Sequence, residues 1–128
     1  MIIMNIELEL INIDLAIAKL ANLKDILGNI SKAKFVSFTK TEDEISLVIE
    51  TKHLSEFEYV NTGWRAFKII GPLDFSLVGI LQKVIEPLSE KGISVFTISS
   101  FDTDYILVKN EQVENAIVIL SEKFKINR

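Results

Sequence analysis

The sequence predicts an α+β protein with a ferredoxin-like fold, and three observations support this prediction. Apolar and polar residues alternate, as they do in half-buried strands, in both halves of the chain. Two segments of the second half instead repeat apolar residues every three or four positions, as amphipathic helices do. In chain order the second half therefore follows the pattern β-α-β-β-α-β, which defines the ferredoxin-like unit.

The first predicted strand is irregular. Apolar and acidic residues alternate from Ile6 to Leu10, and the alternation then slips before it resumes at Ile13. Asn12 and Asp14 lie at the slip, where a bulge or a tight turn would fit. The segment is thus predicted to form one bent strand or two short ones.

The rest of the first half is predicted as a short helix followed by a hairpin, without a clear second helix. Ile45, Leu47 and Ile49 share one face of the second hairpin strand, so one side of the hairpin is expected to be buried. The polar segment 52–63 is predicted to be a linker or a single helical turn, at the boundary between domains 1–60 and 61–128. The helix and the two hairpin strands are predicted over 22–30, 35–39 and 45–49.

The second half opens with a strand that leads into a long helix, predicted over 75–91. The turn Gly71-Pro72-Leu73-Asp74 precedes the helix, and Asp74 is suited to cap its first turn. The apolar stripe of this helix centres on Leu81, which is predicted to be fully buried. Gly92 fits the C-terminal cap, because glycine readily adopts the left-handed conformation found there.

Three further strands and a second helix complete this half. Asn110 is expected to cap the second helix. Its apolar stripe is formed by Val113, Ala116, Ile117 and Leu120. The strands of the second half are predicted over 64–70, 93–99, 105–109 and 124–126.

Composition narrows the class of protein. The chain has 128 residues, of which 48% are hydrophobic and 25% charged, as in globular domains. It contains no cysteine, which excludes disulfides and thiol nucleophiles and indicates a cytoplasmic setting. The net charge of −4 and the lack of a basic stripe argue against nucleic acid as a partner. No apolar run approaches the roughly 20 residues that span a bilayer, and no basic leader begins the chain, so no membrane partner is expected.

Familiar catalytic and cofactor motifs are absent. The five glycines form neither a dinucleotide-binding loop nor a P-loop. The single histidine, His53, cannot build a multi-histidine metal site, and it is expected to be solvent-exposed in the linker. We therefore expect no catalytic residue, no metal and no cofactor.

A polar run from Ser99 to Asp104 lies between two predicted strands. Asp102 and Asp104 either tighten that turn or face a ligand that carries an ammonium or guanidinium group. The sequence alone leaves both interpretations open.

Three segments of the second half resemble a known family. They are Gly63–Lys68, Gly71–Phe75 and Gly92–Val108, and a weaker match covers 35–48. These segments resemble stand-alone ACT-domain proteins of bacteria, and the arrangement is similar to one half of the eukaryotic cytosolic arginine sensors of the TOR pathway. The resemblance covers about residues 6–128.

The resemblance implies two ACT-type units side by side. ACT domains are regulatory modules that commonly bind amino acids at an interface between domains. Ser94 and Val95 would come from the neighbouring domain, and Leu77 stands where the arginine sensors have an acidic residue. The remaining positions carried over are Asp74, Phe75, Val78, Gly79, Ile80, Ser100, Phe101, Asp102, Thr103 and Asp104.

These observations lead to a non-catalytic regulatory protein that binds a small ligand, expected to be a free amino acid, at an ACT–ACT interface. The alternative is an interaction module that dimerises or docks a partner without a ligand, and the Leu77 departure favours it. An enzyme that uses Asp102 and Asp104 as acid and base lacks an accompanying nucleophile or metal set. A homodimer is expected, because Val118 and Ile119 add apolar surface beside the second helix.

Overall fold

The chain separates into two compact units. Unit 1 comprises Met1–Asn12 and Arg65–Arg128, and unit 2 comprises Ile13–Trp64. Unit 1 thus combines nearly all of the predicted second domain with the first twelve residues, which the predicted division after residue 60 assigns to the other domain. The computed structural model describes residues 6–22, 24, 30–53, 59–70 and 79–128.

Seven strands and two α-helices are described, with the α+β composition that the sequence predicts. The strands are β1 (Glu7–Lys19), β2 (Val36–Lys40), β3 (Ile45–Glu50), β4 (Tyr59–Ile69), β5 (Phe96–Ser99), β6 (Asp104–Lys109) and β7 (Lys125–Asn127). The helices are α1 (Ile80–Glu90) and α2 (Val113–Ser121).

Unit 1 has the predicted ferredoxin-like element order from β4 to β7. Its strands lie in the order β7-β1-β4-β6-β5, with β7 parallel to β1 and β5 antiparallel to β6. The last strand therefore pairs with the first strand of the chain, which explains why residues 1–12 belong to this unit. The apolar faces of the sheet and of both helices form one core of Ile6, Leu8, Leu10, Phe67, Ile69, Ile80, Val84, Leu88, Ile93, Ile106, Val108, Val113, Ala116, Leu120 and Phe124.

Helix α1 begins at Ile80, and Gly79 before it is not helical. The proposed cap Asp74 and the predicted helical residues 75–78 lie outside the described residues. The helix buries Ile80, Val84 and Leu88. The prediction that Leu81 is fully buried is wrong, since this residue is partly exposed at the edge of the stripe. The apolar residues of α1 form a stripe wider than its buried face, so their spacing alone does not reveal which edge meets solvent.

The end of α1 agrees with the prediction. Gly92 has a φ of 76°, and its N–H donates to Ser89 O at 3.0 Å. The N–H of Ile93 then donates to Leu88 O at 3.0 Å. These bonds satisfy helix-end carbonyls in the manner of a glycine-terminated helix and fix where the chain leaves for β5.

Helix α2 begins later than predicted. Asn110 starts the 3-10 turn Asn110–Gln112, and Gln112 rather than Asn110 precedes the first helical residue. Val113, Ala116 and Leu120 are buried as the apolar stripe predicts.

Unit 2 contains the predicted hairpin, formed by β2 and β3, and strand β1 pairs with β3 on its other side. All four residues from Leu47 to Glu50 are buried, so β3 is covered on both faces rather than on one. Among the described residues of this unit, one buried apolar cluster consists of Ala18, Leu20, Leu47 and Ile49. Most of the predicted helix over 22–30 lies outside the described residues.

The structure decides between the alternatives for the first strand. Residues 7–19 form one strand, β1, and the boundary between the units, after Asn12, coincides with the slip in its apolar pattern. The prediction of a linker or helical turn over 52–63 is wrong from residue 59 onwards, because β4 begins at Tyr59. Residues 59–62 are all exposed, so this end of β4 lacks the alternation of buried and exposed residues by which a strand is predicted.

The hairpins of the two units repeat the same register. Lys40 pairs with Ile45, and Ser99 pairs with Asp104, so each turn holds four residues. Position 40 corresponds to 99 and position 45 to 104, which is a spacing of 59 residues. The same spacing relates the three-residue 3-10 turns that follow the hairpins, Thr51–His53 and Asn110–Gln112.

Candidate functional site

The turn between β5 and β6 is fixed by its own polar groups. Ser100 N–H donates to Thr103 O at 2.8 Å, and Ser100 Oγ donates to the same oxygen at 3.0 Å. Thr103 N–H in turn donates to Ser100 Oγ at 3.3 Å. Thr103 is only 4% exposed, and its hydroxyl donates to Ile69 O at the end of β4. The turn therefore holds one conformation, attached to the strand that leads towards α1.

The acidic residues of this run have different roles. Asp104 begins β6, is partly buried, and accepts a hydrogen bond from Ser99 Oγ. Asp102 is exposed, and Phe101 beside it is 80% exposed. Ser100 and Thr103 provide the bonds that tighten the turn. Ser99 fixes one oxygen of Asp104, and the partial exposure of Asp104 leaves its carboxylate accessible to a cationic group.

The helix-start residues are only partly described. Gly79 precedes α1 with a φ of 78°, a conformation that glycine adopts without strain. The side chain of Ile80 is buried in the core of unit 1, so this residue can offer a ligand only its backbone. Asp74, Phe75 and Val78 lie outside the described residues.

Ser94 and Val95 do not meet the turn within one chain. They precede β5, whereas the turn follows β5. At about 3.3 Å per residue, the stretch from Val95 to Ser100 spans roughly 16 Å. A single small ligand therefore cannot touch both ends of β5 on one chain. The source of Ser94 and Val95 in a neighbouring domain stays a prediction.

Unit 2 contains a second polar cluster, centred on Glu50, that was not predicted from the sequence. Glu50 ends β3 and is only 2% exposed. Its carboxylate accepts hydrogen bonds from the N–H groups of Lys34 and Phe35, the latter at 3.1 Å. Lys52 Nζ and His53 Nε2 lie 3.5 Å and 3.7 Å from its Oε2. Burial alone raises the pKa of Glu50, but the two backbone donors and the positive charges of Lys52 and protonated His53 outweigh it and lower the pKa below 4.5.

The prediction that His53 is solvent-exposed is wrong. Its side chain is 19% exposed, because the 3-10 turn Thr51–His53 brings it next to Glu50. The signal that could have revealed the cluster is a glutamate at the end of an apolar strand, followed at once by two basic residues.

Two further findings concern other classes of site. Within the described parts of the chain, no three histidine, cysteine or carboxylate side chains gather as metal ligands would. No helix in those parts combines the length and the apolar character needed to cross a bilayer.

Residues 59–122, which are half of the chain, match the ACT domain family. The chain is also 28% identical to the protein named cytosolic arginine sensor for mTORC1 subunit 1, both from Bos taurus and from Homo sapiens. Each match covers 77% of this chain but 33% of the relative, so the chain spans about a third of the length of these relatives.

Solved structures support the same fold. Protein Atu0741 from Agobacterium tumefaciens superposes with a TM-score of 0.83 at 32% identity, over 97% of this chain and 95% of that one. The ligand-free regulatory subunit of aspartate kinase from Thermus thermophilus superposes with a TM-score of 0.65 at 10% identity, over 92% and 97% of the two chains. The second likeness concerns the fold alone.

Proposed function

The chain belongs to the ACT-domain family, and we propose that it is a non-catalytic, cytoplasmic regulatory protein that binds a free amino acid between ACT domains. Both units are proposed to be ACT-type domains, and the binding site is proposed to form in a homodimer. The observation that carries the proposal is the fixed turn 100–103 in the family-matched part of the chain, with the Asp104 carboxylate beside it. The relationship to a cytosolic arginine sensor favours an amino acid as the ligand.

The chemistry of an amino acid suits the residues around this turn. Its ammonium group needs an acceptor, and a charge-assisted hydrogen bond to Asp104 would contribute about 1.5–3 kcal/mol. Its carboxylate needs donors, and the first N–H groups of a helix have no partner within that helix. The start of α1, at Gly79 and Ile80, would supply such donors. Thr103 is a poor candidate for direct contact, because it is buried and its hydroxyl already donates to Ile69.

The second set of residues, Ser94 and Val95, would come from another copy of the chain. Strand β5 lies at one end of the strand order of unit 1, so a second copy can pair with it. Antiparallel pairing of two β5 strands would bring the beginning of each next to the end of the other. Ser94 and Val95 of one copy would then lie near the turn 100–103 of its partner.

A panel of free amino acids tests the proposal. At least one is expected to raise the melting temperature, and a calorimetric titration should then show binding that Asp104→Ala abolishes while the fold is retained. Asp43→Ala is the matched control, because Asp43 is an exposed acid in the corresponding turn of unit 2 and should leave binding unchanged. If Asp104→Ala binds as tightly as the wild type, the site assignment fails.

Light scattering tests the dimer separately. A mass of two chains is expected at micromolar concentration, and a monomer at high micromolar concentration would contradict the shared site. If no amino acid binds at millimolar concentration, the chain is better explained as an interaction module without a ligand. The exposed Phe101, and Val118 on α2 at 67% exposure, would then be the first candidates for its contact surface.

A further inference from the structure

The environment of Glu50 has the features of an anion-binding site rather than those of an ordinary surface ion pair. Two consecutive backbone N–H groups, of Lys34 and Phe35, converge on one carboxylate oxygen. Two basic side chains, Lys52 and His53, approach the other oxygen. Paired backbone donors with nearby positive charge are the elements from which proteins build sites for carboxylates and phosphates.

The group that occupies this site is the carboxylate of Glu50, a residue of the same chain. The Glu50 side chain reaches from the end of β3 to the residues just before β2, and its carboxylate is buried. A buried carboxylate is costly unless donors compensate its charge, and here donors surround both oxygens. The contact thus fastens the open end of the hairpin, opposite the turn 41–44.

The hairpin of unit 1 lacks the counterpart of the Glu50 contact. With the spacing of 59 residues, Glu50 corresponds to Lys109 and Phe35 corresponds to Ser94 in unit 1. Unit 1 therefore has no carboxylate at the position from which Glu50 reaches the residues before β2.

We infer that the N–H groups of Lys34 and Phe35, with Lys52 and His53, form a carboxylate-binding site that Glu50 occupies as a built-in ligand, and that a free small carboxylate can take its place when the side chain is shortened. Truncation of Glu50 at Cβ removes one methylene and the carboxylate, the two groups from which acetate is built. Acetate and formate are therefore the probes that match the vacated space.

One consequence rests on the proposed function. Glu50 occupies the N–H groups of Lys34 and Phe35, which correspond to those of Ile93 and Ser94 in unit 1. An external amino acid is therefore expected at unit 1, and the wild type should bind one amino acid per chain. The assignment of the carboxylate site itself does not depend on this consequence, since acetate can bind the shortened variant whether or not any amino acid binds the wild type.

The test compares wild type, Glu50→Ala and the control Glu42→Ala, an exposed glutamate of the same hairpin. Glu50→Ala should melt about 5 °C or more below the wild type. Sodium acetate should raise the melting temperature of Glu50→Ala by several degrees more than the same concentration of sodium chloride does, and should not do so for the other two proteins. In Glu50→Ala, acetate should also shift the amide NMR signals of Lys34 and Phe35.

Equal effects of acetate and chloride on Glu50→Ala would overturn the inference. If this variant folds only in acetate or formate, the inference is supported directly. If it does not fold under any condition, Glu50→Gln decides, because it keeps the side-chain volume but loses the charge. The amides of Lys34 and Phe35 should then exchange with solvent at least about tenfold faster than in the wild type, as the loss of a charge-assisted bond implies. Unchanged exchange would refute the site.

Discussion

The two hairpins share register and turn length but differ in what holds their open ends. In unit 2, the N–H of Lys34 donates to the carboxylate of Glu50. In unit 1, the corresponding N–H belongs to Ile93 and donates to Leu88 O, the carbonyl of a residue in the last turn of α1. One hairpin is fastened by a buried charge, whereas the other is fastened by a helix that packs into the large apolar core of unit 1.

The two hairpins can therefore have different roles although they share one register. In unit 1 the end of α1 holds the open end of the hairpin, and the turn and the strand β5 carry the proposed amino-acid site. A hairpin that closes on its own carboxylate has its backbone donors satisfied internally. Two substitutions test how the open ends are held, and a pair of substitutions tests whether the two turns are equivalent. They are ordered by the size of the expected effect.

The largest effect is expected from Leu88→Ala. Leu88 is fully buried in the core of unit 1, so the truncation should lower the free energy of unfolding by about 2–5 kcal/mol. Because Leu88 O also accepts the Ile93 N–H, hydrogen exchange at Ile93 should accelerate. Chemical denaturation and amide exchange measure the two effects.

Leu81→Ala is the matched control for this change. Leu81 lies on the same helix but is partly exposed, so its truncation should cost only about 1 kcal/mol. An equal loss for the two variants would mean that α1 is rotated relative to the described packing, and that the hairpin of unit 1 is not held by Leu88.

An intermediate effect is expected from Glu50→Gln, through the pH dependence of stability. The pKa of Glu50 is lowered in the folded state, so its carboxylate stabilises the fold fully above the unfolded pKa, near 4.5, and this contribution is lost as the pH falls through the lower folded value. At pH 7 the amide variant should lose about 1–3 kcal/mol. Denaturation curves between pH 7 and about pH 3 should show a smaller decline for the variant than for the wild type.

The control here is Glu44→Gln, at an exposed acid in the turn of the same hairpin. It should leave both the stability at pH 7 and the acid dependence close to those of the wild type, since exposed substitutions usually change stability by less than about 0.5 kcal/mol. A pH profile of Glu50→Gln parallel to that of the wild type would show that another group causes the acid sensitivity.

The spacing of apolar residues predicts most of the strands and helices, but it does not predict how they divide into two units. The order of elements from β4 to β7 and the hairpin of β2 and β3 could be predicted, because apolar spacing reports which residues face a core. The pairing of β7 with the first residues of β1 could not be predicted, since it joins segments more than 110 positions apart. The repeat of the hairpins was also hidden, because the turns Thr41–Glu44 and Ser100–Thr103 share a backbone bond but only one residue type, at Asp43 and Asp102.

The candidate site could be predicted only in part, for a similar reason. A run of serine, threonine and aspartate indicates a polar turn, but it does not reveal that Thr103 is buried and Phe101 exposed. The Glu50 cluster combines residues 34–35 with 50–53, and only the register of the hairpin brings them together. Sequence proximity made His53 look like a linker residue, whereas its position is set by a contact with Glu50.

The smallest effect is expected from the paired substitutions Thr41→Ala and Ser100→Ala. Both residues open the four-residue turn of their hairpin, and each side-chain oxygen accepts the N–H of the residue three positions later, at 3.1 Å from Glu44 and 3.3 Å from Thr103. Removing either hydroxyl should therefore lower stability by a similar amount, about 0.5–1 kcal/mol. Urea denaturation of the two variants measures this, and a difference above about 1 kcal/mol would show that the turns are not equivalent.

Ligand binding should separate the two variants even though their stabilities match. In Ser100→Ala the turn beside Asp104 loses the two bonds that the Ser100 hydroxyl makes with Thr103 N–H and O, while the backbone bond from Ser100 N–H to Thr103 O remains. The carboxylate is then held less firmly, and the affinity for the amino acid should fall about tenfold, the equivalent of one lost neutral hydrogen bond. Thr41→Ala alters only the turn of the hairpin that Glu50 fastens and should bind as the wild type does. Calorimetric titration of both variants measures the difference, and equal affinities would mean that the turn of unit 1 is no more involved in binding than its counterpart in unit 2.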